Sequence, residues 1–290
     1  MMNQQSLRML GLGARSARLL GLAPLLQMTR DLSDFAFLRL RKVPLKVYID
    51  GHTVYGFFRH RSFLYQWSTG NYQSFQVELF KRHISPGMTV VDGGAHIGFF
   101  SLLAARLVGD KGRVFSFEPD NYNYPCLDIN ICENKYQNVT LFQKAIADKV
   151  ESKILYQSSG TISSSLGNRE GIKKFSNGVS VKKVLIQSTT LDHEIGCLPV
   201  DIIKLNIEGA EPFAVMGMSR ILQRSIPLIL FAEINPHALH SLGKPPEFLI
   251  TMLKDLGFDI YYIDELNRKL LPLTEKSILQ KGILYCKKGK

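Results

Sequence analysis

The run Val90-Val91-Asp92-Gly93-Gly94-Ala95-His96-Ile97-Gly98-Phe99-Phe100 constrains this chain more than any other feature. An apolar pair, an acid, two glycines and then an apolar stretch predict a buried strand that turns tightly into a helix. Glycine permits such a turn and lets a ligand approach bare backbone, and the helix that follows presents free N–H groups at its start. Further on, Phe115-Ser116-Phe117-Glu118-Pro119 ends a second strand on an acid, twenty residues after Gly98. A carboxylate there is placed to accept hydrogen bonds from both hydroxyls of a ribose.

Two cofactor classes use this arrangement. Dinucleotide enzymes need G-x-G-x-x-G so that a pyrophosphate can lie against backbone; Ala95 interrupts that frame, and Asp92 would repel the pyrophosphate. The spacing of Asp92, Gly94 and Gly98 suits a cofactor with a cationic amino-acid tail instead, namely S-adenosyl-L-methionine. In this reading Asp92, Gly93, Gly94, Ala95, His96, Gly98 and Glu118 contact the cofactor. His96 serves its methionyl end or packs in the turn.

Short β-like runs alternate with helical stretches from residue 89 onward, the signature of a parallel α/β sheet. Strands are expected at 89–92, 113–118, 139–144, 201–207, 228–234, 259–263 and 283–286, and helices at 98–107, 122–133, 212–223 and 247–257. A further helix is expected within 72–84, ended by Pro86-Gly87, and a strand at 181–186. The fold class is therefore α/β: a Rossmann-like, mostly parallel seven-stranded sheet with helices on both faces. Residues 1–70 form an extension, a basic helical segment followed by strands over 46–68, a hairpin in which Val47, Ile49, Val54, Phe57 and Phe58 flank an Asp50-Gly51 turn. Residues 71–290 form the main domain, with a Ser/Gly-rich insertion near 149–190 (Ser158-Ser159-Gly160, Ser163–Ser165).

With these pieces in order, residues 75–265 resemble the FkbM-type methyltransferases, which carry the class I methyltransferase fold. Asp92 to Gly98 is similar to the family's glycine motif, with His96 where Asn is common, and Phe117-Glu118-Pro119 is similar to its ribose-binding motif. Glu78, Asn130, Asn134, Ala145-Ile146-Ala147-Asp148 and Thr190-Leu191-Asp192 fall at matching places. Ile203-Lys204-Leu205-Asn206-Ile207-Glu208-Gly209-Ala210-Glu211 resembles the family's Lys-Ile-Asp-Val-Glu-Gly-Ala-Glu, except that Asn206 replaces an Asp. An amide neither titrates nor carries negative charge, so no divalent metal is expected. The resemblance adds Glu78, Pro119 and Ala145 to the cofactor set and implies O-methylation of a sugar, glycan or secondary-metabolite hydroxyl.

Methyl transfer to oxygen needs alignment and a base for the hydroxyl proton. Glu208 is the first choice for the base, and Glu233, at the end of a strand, is the second. Lys204 steadies an acid (Asp92, Glu208 or Glu233) or holds a developing oxyanion, and Asn206 stands beside them. Glu211 reads as a helix-face carboxylate, His237 and His240 as loop residues near the acceptor, and Tyr261-Tyr262 as strand and core.

The formal net charge of +11 is uneven. Residues 1–46 carry eight basic and two acidic residues and the last ten carry four lysines, so 47–280 are nearly neutral. No nucleic-acid partner is expected. Residues 1–30, with Arg8, Arg15, Arg18 and Arg30, read as a helix that contacts an anionic membrane surface weakly or packs on the domain, in preference to an organelle presequence. Four cysteines without C-x-x-C spacing read as thiols of a reducing compartment, and with no apolar run long enough to span a bilayer the chain is expected to be cytoplasmic, at most peripheral to a membrane. Two other readings remain: an RNA or protein methyltransferase, or a catalytically weak cofactor-binding protein on a membrane or partner.

Overall fold

The computed structural model describes residues 44–158, 164–167 and 181–289. The basic segment before residue 44, its proposed membrane contact, and Ser159, Gly160 and Ser163 of the insertion lie outside the described residues. The chain divides into two compact units, one of residues 1–45 with 57–59, the other of 46–56 with 60–290. Of the first, only residues 44–45 and 57–59 are described. Everything below concerns the second unit, which also holds residues 46–56 and 60–70 of the expected extension.

It opens with a hairpin, β1 (Leu45–Ile49) and β2 (His52–Gly56), turned through Asp50-Gly51, both at positive φ. This is the turn such a pair favours. Phe57 and Phe58, expected to extend the strands, lie beyond β2. Helices α1 (Arg61–Ser68) and α2 (Ser74–His83) follow; α1 replaces the strand expected up to residue 68, and its buried Phe63, Leu64 and Trp67 recur at helical spacing. Strand β3 (Thr89–Gly93) then runs into α3 (Phe99–Val108), and β4 (Arg113–Phe117) into α4 (Tyr124–Glu133) and β5 (Val139–Phe142). The insertion folds as a small sheet of β6 (Ala145–Ile146), β7 (Ser152–Ser158), β8 (Ser164–Ser165) and β9 (Val181–Thr189), in the order β6-β9-β7-β8. After α5 (Leu191–Ile195) come β10 (Ile202–Leu205), α6 (Glu211–Met216), α7 (Ser219–Arg224) and β11 (Leu228–Ile234). The chain closes with α8 (Pro236–Ser241), α9 (Pro246–Asp255), β12 (Asp259–Asp264), β13 (Lys269–Pro272), α10 (Glu275–Ile278) and β14 (Gly282–Lys288).

The main sheet has the order β13-β12-β14-β11-β10-β3-β4-β5. Pairing is parallel from β11 to β5 and antiparallel from β11 outward to β13. The expected α/β architecture is present, with an eighth edge strand, β13, added to the expected seven. Side chains alternate between faces along each strand. Val91, Ile203, Leu230 and Ala232 share a core with Val215, Ile221 and Leu253 of α6, α7 and α9. On the other face Phe231 meets Phe80 of α2, which in turn packs edge-on against Phe100 of α3.

The helix expected over 212–223 is two helices. Gly217 lies where an added Cβ would come 2.2 Å from the carbonyl oxygen of Ala147. That approach of the insertion's first turn interrupts the helix at a residue with no side chain to clash. Gly217→Ala is expected to destabilise the protein by about 1–3 kcal/mol through overpacking, measured as a lower urea midpoint at unchanged m-value.

Candidate active site

A cavity of about 390 Å³ opens over the carboxyl ends of β4, β3, β10 and β11, where open α/β sheets hold their ligands. Its size is within the range of small-molecule sites, roughly 300–1,000 Å³. Pro119 and Ala145 line it together with Gly94, His96, Glu118, Lys204, Asn206, Glu208 and Glu233. Gly93, Ala95 and Asp92 are buried beneath it. Gly98 starts α3 at φ +99°. Glu78 is elsewhere, bonded to Arg82 and Arg268 on the outer side of α2. It does not line this cavity.

The floor is a row of register neighbours: Ser116 on β4, Asp92 on β3, Lys204 on β10 and Phe231 on β11. Lys204 Nζ donates to Asp92 Oδ1 at 2.9 Å, to the Gly93 carbonyl at 3.2 Å and to the Gly94 carbonyl at 2.9 Å. An ammonium has three N–H bonds, and each has an acceptor here. Asp92 Oδ2 accepts from Ser101 Oγ at 2.7 Å, and Ser101 Oγ accepts from Ser116 Oγ at 2.9 Å. Of the three candidate partners for Lys204, the structure selects Asp92. The acid expected to face a cationic cofactor tail is thus already neutralised inside the protein.

The glycines also serve the chain itself. Gly94 has φ +74°, and an added Cβ would stand 2.0 Å from the Asn206 carbonyl oxygen. The bare backbone expected to admit a ligand admits the turn after β10, which also binds through Asn206 N to Gly93 O at 3.0 Å. Among described residues six non-glycines have positive φ, and three of them, Gln73, His96 and Glu208, line this cavity. Such conformations persist only where surrounding contacts impose them.

Glu118 closes one side. Its Oε2 accepts from the His96 N–H at 2.7 Å and its Oε1 from the Asp120 N–H at 2.9 Å. Burial outweighs these bonds and pushes its pKa up to about 7. Asn123 Nδ2 also donates to Oε1 at 3.5 Å, and a lone pair on Oε2 remains for a hydroxyl donor. Three strands along, on β11, Glu233 is 2% exposed; Lys281 Nζ donates to its Oε1 at 2.9 Å, while Oε2 has no hydrogen-bond partner. Burial, then the charge of Glu208, raises the Glu233 pKa. Glu208 Oε2 accepts from Asn235 Nδ2 at 3.2 Å and lies 3.7 Å from Lys281. Glu211, expected on a helix face, is fully buried, accepting from the Ile207 N–H at 2.9 Å, and burial raises its pKa as well. His237 and His240 are exposed on α8 and line neither this cavity nor its neighbours, while Tyr261 is more exposed than a core residue.

Sequence reasoning missed Tyr72, Gln73, Asn123, Lys144 and Lys281, which all line the cavity. Tyr72 and Gln73 precede α2 and carry no motif. Lys281 was counted with a basic tail, but 282–288 form β14, paired with β11 inside the sheet, so this charge belongs to the site.

The family model described as the methyltransferase FkbM domain matches residues 92–260. The chain belongs to the FkbM methyltransferase family. It is similar to a SAM-dependent methyltransferase from Aquifex aeolicus at 13% identity, covering 74% of this chain and 88% of that one with a TM-score of 0.41. It is also similar to an rRNA methylase from Streptococcus thermophilus at 12% identity, covering 75% and 96%, with a TM-score of 0.41. No curated protein matches it significantly. S-adenosylmethionine is the cofactor of this FkbM methyltransferase, and the residues present fit it. Glu118 offers acceptors for ribose hydroxyls at one end of the cavity, and Glu233 lies three strand spacings away, roughly 14 Å, which leaves room between them for the rest of the cofactor and an acceptor beside it.

The Asp92–Lys204 pair yields a stability prediction. Lys204→Met leaves a fully buried carboxylate uncompensated and is expected to cost about 3–5 kcal/mol. Lys204→Met combined with Asp92→Asn should recover much of that loss in the same denaturant titration.

Proposed function

We propose that this FkbM methyltransferase methylates a hydroxyl oxygen on a small molecule: a sugar, a glycan or a secondary metabolite. The observation that carries the reading is Glu233, a buried carboxylate that lines the cavity, with a raised pKa and one oxygen without a hydrogen-bond partner. A carboxylate poised near neutrality can take the proton that a hydroxyl must lose. S-adenosylmethionine supplies a methyl group on a sulfonium centre. The chain's own residues then bind, orient and deprotonate. Glu118 holds the ribose hydroxyls, with Pro119, Ala145 and Gly94 beside it. Glu233 accepts the acceptor's proton, and Glu208 and Lys281 fix its orientation. Asn206 cannot titrate, so the proton passes to a glutamate. Lys204 holds the glycine turn against β10 and does not move a proton. The near-neutral charge of 47–280 favours a small acceptor over nucleic acid. Among described residues no helix is long and apolar enough to cross a membrane.

Methyl-labelled S-adenosylmethionine incubated with glycan, metabolite and RNA fractions tests the reading. Label is expected as a methyl ether in the first two, and label confined to RNA would overturn it. Glu233→Gln should lower kcat by ~10²–10⁴-fold while cofactor affinity holds. In the wild type, kcat/KM should rise with pH as Glu233 ionises, and the variant should lose that rise.

Glu118 gives a separate pH signature. Hydroxyl donors favour its ionised form, so binding S-adenosylmethionine releases a proton whenever Glu118 is protonated in the free protein. Affinity should therefore increase as pH rises through about 7. Glu118→Gln should flatten that profile and weaken binding at pH 8 by about 1.5–3 kcal/mol, both measurable by calorimetry.

A further inference from the structure

A second cavity, also about 390 Å³, adjoins the first over β14 and β12. Gln73, Glu233 and Lys281 line both. In the strand order, Glu118 on β4 lies to one side of Glu233, and β14 and β12 lie to the other. Glu233 therefore stands at a junction, with the ribose-binding end on one side and a separate chamber on the other.

The chamber's other carboxylates are committed within the chain. Glu265 accepts from the Phe75 and Gln76 N–H groups at 2.8 Å each, at the start of α2. Asp264 accepts from Asn267 N at 3.0 Å and Asn267 Nδ2 at 2.8 Å. At the junction, by contrast, Glu233 Oε2 and Gln73 Oε1 are buried acceptors with no hydrogen-bond partner. An unsatisfied buried acceptor is costly, and two at one junction call for a ligand that brings two donors. Gln73 is held at φ +43°, a left-handed conformation unusual for glutamine. Its amide is thus kept at this place against local preference.

We propose that Gln73 and Glu233 select the acceptor as a neutral vicinal diol seated in the second cavity. The reacting hydroxyl donates to Glu233 Oε2 and its neighbour donates to Gln73 Oε1. This rests on the hydroxyl-methylation reading and deepens it, making Gln73 a specificity-determining residue. An acceptor with a carboxylate or phosphate beside the reacting hydroxyl would set negative charge against both acceptors and be excluded, because Lys281, the cation that lines both cavities, is already shared by Glu208 and Glu233. The same two acceptors could instead receive the ammonium of the cofactor's amino-acid tail, and the experiment separates these.

The test uses the full chain saturated with S-adenosylhomocysteine, titrated by NMR with tetrahydropyran-3,4-diol, tetrahydropyran-4-ol and tetrahydropyran-4-carboxylate. The diol should bind about fivefold more tightly than the mono-ol, the scale of one added hydrogen bond, and the carboxylate should not bind. Gln73→Asn withdraws the amide by one methylene and tolerates the left-handed backbone, so folding is expected to survive. In this variant the diol should weaken to the mono-ol's Kd, while S-adenosylhomocysteine affinity, measured by calorimetry, stays within about twofold. Equal binding of diol and mono-ol to the wild type overturns the proposal. So does a Gln73→Asn variant that keeps its diol preference, or one that loses S-adenosylhomocysteine instead. Methyl label recovered only on RNA or on nitrogen, with the diol preference and its Gln73 dependence intact, supports the clamp and overturns the hydroxyl reading alone.

Discussion

The site rests on one buried ion pair. Asp92 and Lys204 are register neighbours on β3 and β10, and with both side chains removed from water neither could remain charged alone. Their pairing does more than neutralise. The two remaining N–H bonds of Lys204 go to the Gly93 and Gly94 carbonyls, so the cation binds the glycine turn to the strand beside it. Once the turn is held there, the Asn206 carbonyl can approach so closely that residue 94 must lack a side chain. His96 then places its N–H on Glu118. The route from the ion pair to the cofactor-facing carboxylate is continuous.

A second electrostatic arrangement follows from crowding. Glu208, Glu211 and Glu233 converge beyond β10 and β11, and burial together with the neighbouring carboxylates opposes the ionisation of Glu211 and Glu233. Lys281 bridges Glu208 and Glu233 from the loop before β14 and relieves part of that cost. Glu211 instead satisfies the backbone of the turn that carries Glu208. Three similar residues therefore do three different things: one holds the backbone, one is anchored by an amide and a cation, and one lines the cavity with an oxygen that has no hydrogen-bond partner.

Much of this was legible in the sequence. Period-two and helical patterns located the strands and helices of the main sheet to within a few residues, because burial on a sheet face forces apolar side chains wherever the chain runs. Asp92, the glycines and Glu118 announced a nucleotide-type turn because few residue types tolerate its geometry. The family motif around Lys204 and Glu208 was visible for the same reason. Short β13 escaped notice because an exposed edge strand needs no apolar pattern, and the break at Gly217 because the apolar spacing runs on through both helices.

What the sequence by itself determined was the set of chemical groups and the local turns that present them: the strand-to-helix glycine turn, the acid ending β4, the carboxylates after β10 and at the end of β11. Only the tertiary structure decided which of those groups face one another. It joined Lys204 to Asp92 across two strands more than a hundred residues apart in sequence, turned Glu78 outward, buried Glu211, and brought Gln73 and Lys281 to Glu233. The physical reason is that a charge's role depends on burial and on its nearest partner. Both are properties of residues distant in sequence that the sheet order makes neighbours.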